Sequence, residues 1–222
     1  MFKLQRTDLF RLRQGAIVDS RVRVGKVETL SDDWYVLKKT TFEYRRRDGS
    51  WQTLSRETYD RGNGATLLLY NEIKRSVVLT RQFRFPTYAN GNPHGWLIET
   101  AAGLLDNEEP EARILKEVEE ETGYTVTNVN QVFEAYMSPG SVTERIYFFV
   151  ARYEEHDRNS LGGGNVVEGE DIEVLELPFD KTIEMISNGE ICDGKTIMLL
   201  QYAALNIFSN RPIKMDISDH TS

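Results

Sequence analysis

AGLLDNEEPEARILKEVEEETG, residues 102–123, is the stretch from which the rest of this chain is read. Pro110 suits a first helical position, where its missing N–H would be unpaired anyway, and Gly123 suits a C-cap that turns left-handed. At about 100° per residue, Ile114, Leu115 and Val118 form one apolar stripe. Glu117 and Glu121 stand at i and i+4, about 40° apart on the flank of that stripe. Glu120 lies further round, near Lys116 and Arg113. Two carboxylates stacked this way repel by roughly 0.2–0.5 kcal/mol when exposed, and by more when buried. A divalent cation removes that penalty. Mg2+ takes oxygen ligands and is gripped by one or two carboxylates, with phosphate completing the shell. A solvated acidic face is the ordinary alternative for a Glu-rich helix.

The flanks of this helix alternate like strands. Upstream, Arg21–Leu30, Trp34–Arg45 and Trp51–Thr58 are candidates, the last two joined by the turn Asp48-Gly49. Ala65–Tyr70 and Ser76–Gln82 are apolar, β-branched runs suited to a central sheet. Between these groups Tyr59–Gly64 is turn-rich and marks a boundary. Downstream come strands Thr125–Tyr136 and Glu144–Ala151, a polar loop His156–Glu170, a strand Ile172–Leu177, and helices Lys181–Asn188 and Lys195–Phe208. The last helix is apolar nearly all round, which requires burial in the core or at a subunit interface. The expected architecture is an α+β sandwich, a mixed sheet flanked by helices, preceded by an antiparallel β-domain. Its segments are an extension 1–20, a strand domain 21–60, a main domain 61–209 and a tail 210–222.

Composition narrows the chemistry. With 27 basic and 35 acidic residues the formal net charge is −8, which argues against nucleic acid or an anionic membrane as a partner. An acidic protein that handles phosphates needs cations where they sit. Cys192 is the only cysteine, so no internal disulfide forms and a reducing cytoplasm is the expected setting. No apolar run approaches the roughly 20 residues of a membrane helix, and the N-terminus lacks a signal peptide's apolar core. His94, His156 and His220 are scattered, with neither triad nor zinc spacing.

The ordered positions Ala102–Gly123, with Lys116-Glu117-Val118, Glu120-Glu121 and Gly123-Tyr124, closely resemble the Nudix box. Lys116 stands where the family has Arg. Counting back from Gly123, the family's glycine falls on Ala102 and its first glutamate on Glu108; if Gly103 is the true match, the loop is one residue short. The segments Tyr59–Tyr70, Arg81–Arg84, Tyr136–Glu144 and Glu170–Lys195 extend the resemblance to the branch that hydrolyses GDP-mannose to GMP and mannose 1-phosphate, a near relative of the ADP-ribose pyrophosphatases.

That resemblance implies a Nudix fold and a homodimer in which the N-terminal strands complete the partner's site. It implies Mg2+, or Mn2+ in its place, held by the Ala102 carbonyl, Glu117, Glu121 and Glu170, with Glu120 as a further metal-binding acid of the box. Substrate contacts would fall on Trp34, Arg56, Glu57, Arg84, Gly103, Leu104, Glu144 and Lys195. Each has a plainer reading. Trp34 could stack on a base or sit in a strand core. Arg84 could fork a phosphate or be a strand-end surface residue. Arg56-Glu57 could read a guanine edge or be a cross-strand pair, and Lys195 could belong to an ordinary helix cap. Glu168 and Glu170 lie on a Gly-rich loop whose flexibility would let it close over substrate; Gly169 stands where an acid would match. A catalytic role would also fall on Glu121, and Glu170 or Glu144 would take the proton. ADP-ribose is the alternative substrate. A non-catalytic nucleotide-sugar sensor is the alternative of another class, against which the intact box glutamates count.

Overall fold

The computed structural model describes residues 20–209. The expected extension and tail, apart from Ser20, together with His220 and the Glu168 side chain, lie outside the described residues. The chain divides into two compact units between Asp60 and Arg61.

The first unit is a three-stranded antiparallel meander of β1 (Val22–Asp32), β2 (Val36–Arg45) and β3 (Trp51–Asp60). Trp34 is not in a strand: Asp33-Trp34-Tyr35 form the bend between β1 and β2, and the indole is 80% exposed. Two aspartates, poor strand formers, precede it and favour the turn. Along β1, Val22, Val24, Val27 and Leu30 are all exposed.

The second unit is a seven-stranded mixed sheet built from β4 (Gly64–Asn71), β5 (Ser76–Phe83), β6 (Trp96–Glu99), β7 (Ala101–Leu104), β8 (Val129–Tyr136), β9 (Arg145–Arg152) and β10 (Glu173–Pro178). Its main order is β10-β5-β4-β9-β8, with only β4 and β9 parallel. The sheet carries α1 (Phe85–Ala89), α2 (Pro110–Thr122), α3 (Phe179–Ser187) and α4 (Gly194–Asn206). Leu67, Leu68 and Leu69 alternate across the pleat of β4. Leu68 joins Val77, Leu79, Phe148 and Val150 beneath α3 and α4, where Phe179, Leu199, Leu200 and Ala203 are buried. Leu67 and Leu69 face the other way, with Val78, Phe149 and the α2 residues Ile114 and Val118. This is the expected helix–sheet–helix sandwich. The last helix resolves to the core alternative on one side only, since Leu205 is 75% exposed.

A split in this sheet creates the site. β4 and β5 pair only through Leu69–Asn71 and Ser76–Val78. Beyond that they diverge, β6 adding to β5 and β7 to β4. The chain changes partner at Thr100, where the backbone N–H donates to Thr196 Oγ1 at 2.8 Å. Glu99, Ala102 and Gly103 therefore sit on either side of the wedge. β6, β7 and α1 were not legible as elements, because four or five residues carry too little periodicity. The expected strand 125–136 begins only at Val129.

Candidate active site

Helix α2 spans the residues its Pro and Gly bracket, with Pro at its first turn and Gly123 capping it at φ 78°. Glu117 and Glu121 are not a solvated face. Both are buried, at 6% and 1% exposure, whereas Glu120 is exposed. Glu121 Oε2 accepts the Ala102 N–H at 3.3 Å. A Cβ on Gly103 would stand 2.0 Å from Glu117 Oε1, so the glycine makes room for that carboxylate. At position 103 no side chain larger than glycine's fits beside that carboxylate as it stands. Arg113 grips Glu117 from one turn earlier and donates its Nε to the Leu104 carbonyl at 3.0 Å. Glu108, not Glu109, pairs with Lys116 and Arg113.

The electrostatics are those of two buried acids whose neighbours compensate their charge only in part. Burial pushes the Glu117 carboxyl from its ordinary 4.5 up to about 7, with Glu120 and Glu170 adding to the rise and Arg113 opposing it. Glu121 is raised well above the carboxylate range, first by burial, then by the charges of Glu117 and Glu170. Glu170, on the loop between β9 and β10, is thus within electrostatic reach of both acids. Its Oε2 accepts the Asn165 N–H at 2.8 Å.

That loop is anchored to α2 at Gly163 and Gly164. Gly163 N donates to the Glu121 carbonyl at 2.9 Å and Gly164 N to that of Glu120 at 3.0 Å, satisfying the open end of α2. The glycines allow close backbone approach: a Cβ on Gly162 would meet Glu121 O at 2.4 Å.

Opposite the acids lies a cationic group. Arg84 Nε donates to Glu99 Oε2 at 2.7 Å, and Lys195 Nζ to Glu99 Oε1. Asp193 caps α4 and also accepts from Lys195 Nζ at 3.0 Å. The cap and the buried lysine are therefore one arrangement rather than alternatives. Burial works against the Arg84 cation, but Glu99, Glu121 and Asp193 outweigh it, which brings Arg84 within reach of Glu121. Sequence reasoning missed Glu99; the only signal was an acid ending the apolar run Trp96-Leu97-Ile98.

Glu144, just before β9, is buried and paired with Arg61 Nε at 3.3 Å, near Gly64 and hence the end of β7. Of the expected substrate contacts, Arg84, Gly103, Leu104, Glu144 and Lys195 belong to the second unit with the acids, and Trp34, Arg56 and Glu57 to the first. On β3, Arg56 registers with Thr40 and Glu57 with Lys39. As sequence neighbours they point to opposite faces, so each meets a residue of β2 rather than the other, Glu57 standing opposite the lysine.

Among the described residues no three His, Cys, Asp or Glu side chains form a ready metal cage. The donor set nevertheless fits a hard divalent ion. Two buried like-charged carboxylates, a glycine cradle beside one of them and only oxygen donors suit Mg2+, which uses one or two carboxylates together with substrate phosphate.

Comparison with known proteins agrees with this architecture. Residues 21–59 match the family described as the GDP-mannose pyrophosphatase NudK N-terminal domain, and residues 60–190 match the NUDIX domain. A GDP-mannose pyrophosphatase of Salmonella typhimurium is 58% identical over 177 residues, 80% of this chain and 92% of that protein. One from Pectobacterium atrosepticum is 55% identical over 188 residues, 85% of this chain and 96% of its own. A crystal structure titled as an ADP compounds hydrolase superposes with a TM-score of 0.64 at 15% identity, covering 87% of this chain and all of the other. With a family match across its acid helix, its split sheet and its glycine cradle, the chain belongs to the NUDIX family.

Proposed function

We propose that this chain is a metal-dependent pyrophosphohydrolase of nucleoside diphosphate sugars, with GDP-mannose cleaved to GMP and mannose 1-phosphate. The observation that carries the reading is the buried Glu117–Glu121 pair with Arg84 within electrostatic reach of Glu121, and with Lys195 sharing the Glu99 carboxylate with Arg84. Anion-gripping and cation-gripping groups thereby meet in one place, as a diphosphate needs. The relatives named above, more than half identical along most of this chain, support the substrate.

The proposed ligands of Mg2+, or Mn2+, are the Ala102 carbonyl, Glu117, Glu121 and Glu170, with Glu120 at the solvent edge. When bound, such an ion supplies positive charge for the diphosphate oxygens and acidifies water beside them. The chain's own residues do the rest. Arg84 and Lys195 hold phosphate oxygens; Gly103 and Leu104 line the approach with backbone; Glu144, steadied by Arg61, borders it. Glu170 is proposed to take the proton, supported by its electrostatic reach to both α2 acids; Glu144 is the second candidate. Trp34, Arg56 and Glu57 are proposed to serve the base and ribose across a homodimer. Exposed Val22, Val24, Val27 and Leu30 on β1 support such a dimer, because a lone three-stranded sheet with an apolar row gains by being covered. Light scattering at twice the chain mass is the expected result.

A cytoplasmic setting is proposed from the lone exposed cysteine. No helix among the described residues is long and apolar enough to cross a membrane.

A substrate panel resolved by chromatography tests the reading. In Mg2+, GDP-mannose should yield GMP and mannose 1-phosphate faster than ADP-ribose yields its products. Preference for ADP-ribose transfers the activity to the alternative substrate. Tight binding of GDP-mannose without product supports the sensor instead.

A further inference from the structure

Glu99 ends β6 and is 3% exposed. Its two oxygens are divided, one to Arg84 at the end of β5 and one to Lys195 in the first turn of α4, 96 residues away. The carboxylate is held at its root as well. The Glu99 carbonyl accepts from Thr80 Oγ1 at 3.2 Å, and the next residue, Thr100, lies 2.8 Å from Thr66 Oγ1 and donates its N–H to Thr196. Thr196 in turn is bonded to Asp193, the second acid on Lys195. A buried ion pair that served packing alone would need one cation, and an apolar pair would serve as well. Here one carboxylate carries two. Arg84 spends only Nε on it, and its terminal nitrogens have no hydrogen-bond partner among the described residues. Without the carboxylate between them, two neighbouring cations in a low-dielectric site would repel and separate.

We propose that Glu99 is a positioning residue: it sets the Arg84 guanidinium and the Lys195 ammonium side by side as a twin-cation clamp for the diphosphate, without touching the substrate itself. This rests on the reading that both cations face substrate. Thr100 and Thr196 lock the carboxylate's backbone to α4, so the clamp is built when the wedge between β6 and β7 closes on that helix.

The test is Glu99→Gln, which keeps shape and removes the charge. KM for GDP-mannose should rise about 10-fold or more, with kcat changing less than about 3-fold, because misplaced binding groups cost binding first. The rise in melting temperature on adding Mg2+ should match wild type, since the acid pair is untouched. Glu99→Asp retains charge but is too short to span both cations, so it should give an intermediate KM, and it carries the test if the glutamine variant does not fold. In an Arg84→Gln/Lys195→Met background, adding Glu99→Gln should raise KM no further. Wild-type KM in the glutamine variant, or loss of kcat at unchanged KM, overturns the proposal. A wild-type chain that turns over no nucleoside diphosphate compound sinks the functional reading instead. The clamp is then judged by calorimetric titration with GDP-mannose, where equal affinity of wild type and Glu99→Gln refutes it.

Discussion

Glu117→Gln should make the metal-free protein more stable at pH 8, although it removes a group of the proposed metal site. The folded carboxyl titrates at about 7 against an ordinary 4.5, chiefly because burial disfavours its charge. A folded-state value above the unfolded one means that the protonated side chain favours the fold. That stability is full below about pH 4.5 and is lost as pH rises through about 7. At 1.36 kcal/mol per pH unit the step corresponds to about 3 kcal/mol, and solvent screening at the open edge of the side chain reduces it to about 2 kcal/mol. For a unit of this size that is about 4–8 °C in Tm. Glutamine, neutral at every pH, does not pay it. In chelator at pH 8 the variant should melt about 4–8 °C above wild type, and near pH 4.5 the difference should close. Adding Mg2+ at pH 8 should raise wild type by ligand linkage and leave the variant nearly unmoved. Scanning calorimetry at both pH values, with and without Mg2+, reads all four conditions. A variant that melts at or below wild type in chelator at pH 8, or one that Mg2+ stabilises equally, would refute the argument that desolvation dominates this carboxylate.

Glu121→Gln should lower kcat by about 10³-fold or more in saturating Mg2+, while circular dichroism shows an intact fold. Gly103→Ala drives a methyl into the Glu117 carboxylate; turnover should fall about 100-fold as that acid is displaced, at a cost of about 1–3 kcal/mol in denaturant melts. Gly123→Ala meets both a left-handed backbone and the Ser160 carbonyl at 2.2 Å. It should destabilise by about 2 kcal/mol or more and increase hydrogen exchange in the 159–164 loop, which loses its seat on α2.

Much of the fold was legible because its signals are local. Pro110 and Gly123 bracket α2 by backbone chemistry alone, and the alternation of Leu67-Leu68-Leu69 between two apolar neighbourhoods follows from strand geometry. Trp34 misled because strand propensity of an aromatic outweighed the two preceding aspartates, yet the chain bends there. The glycines at 162–164 read as freedom of motion; the backbone N–H groups of Gly163 and Gly164 also cap the neighbouring helix, which no local signal foretells. β6 and β7 escaped notice since each is four residues long and is defined by which side of the split it joins. Glu99 escaped with them: its partners come from β5 and α4, and no spacing in the chain relates residue 99 to residue 195.

The sequence by itself determined that a capped helix would carry two carboxylates one turn apart, because helical periodicity depends on nothing outside the segment. Only the tertiary structure decided that those carboxylates are desolvated and that two cations share Glu99 opposite them. Burial is set by what packs against a residue, here β7, the loop at 160–164 and α4. Desolvation, not neighbouring charge, is the largest influence on Glu117 and Glu121.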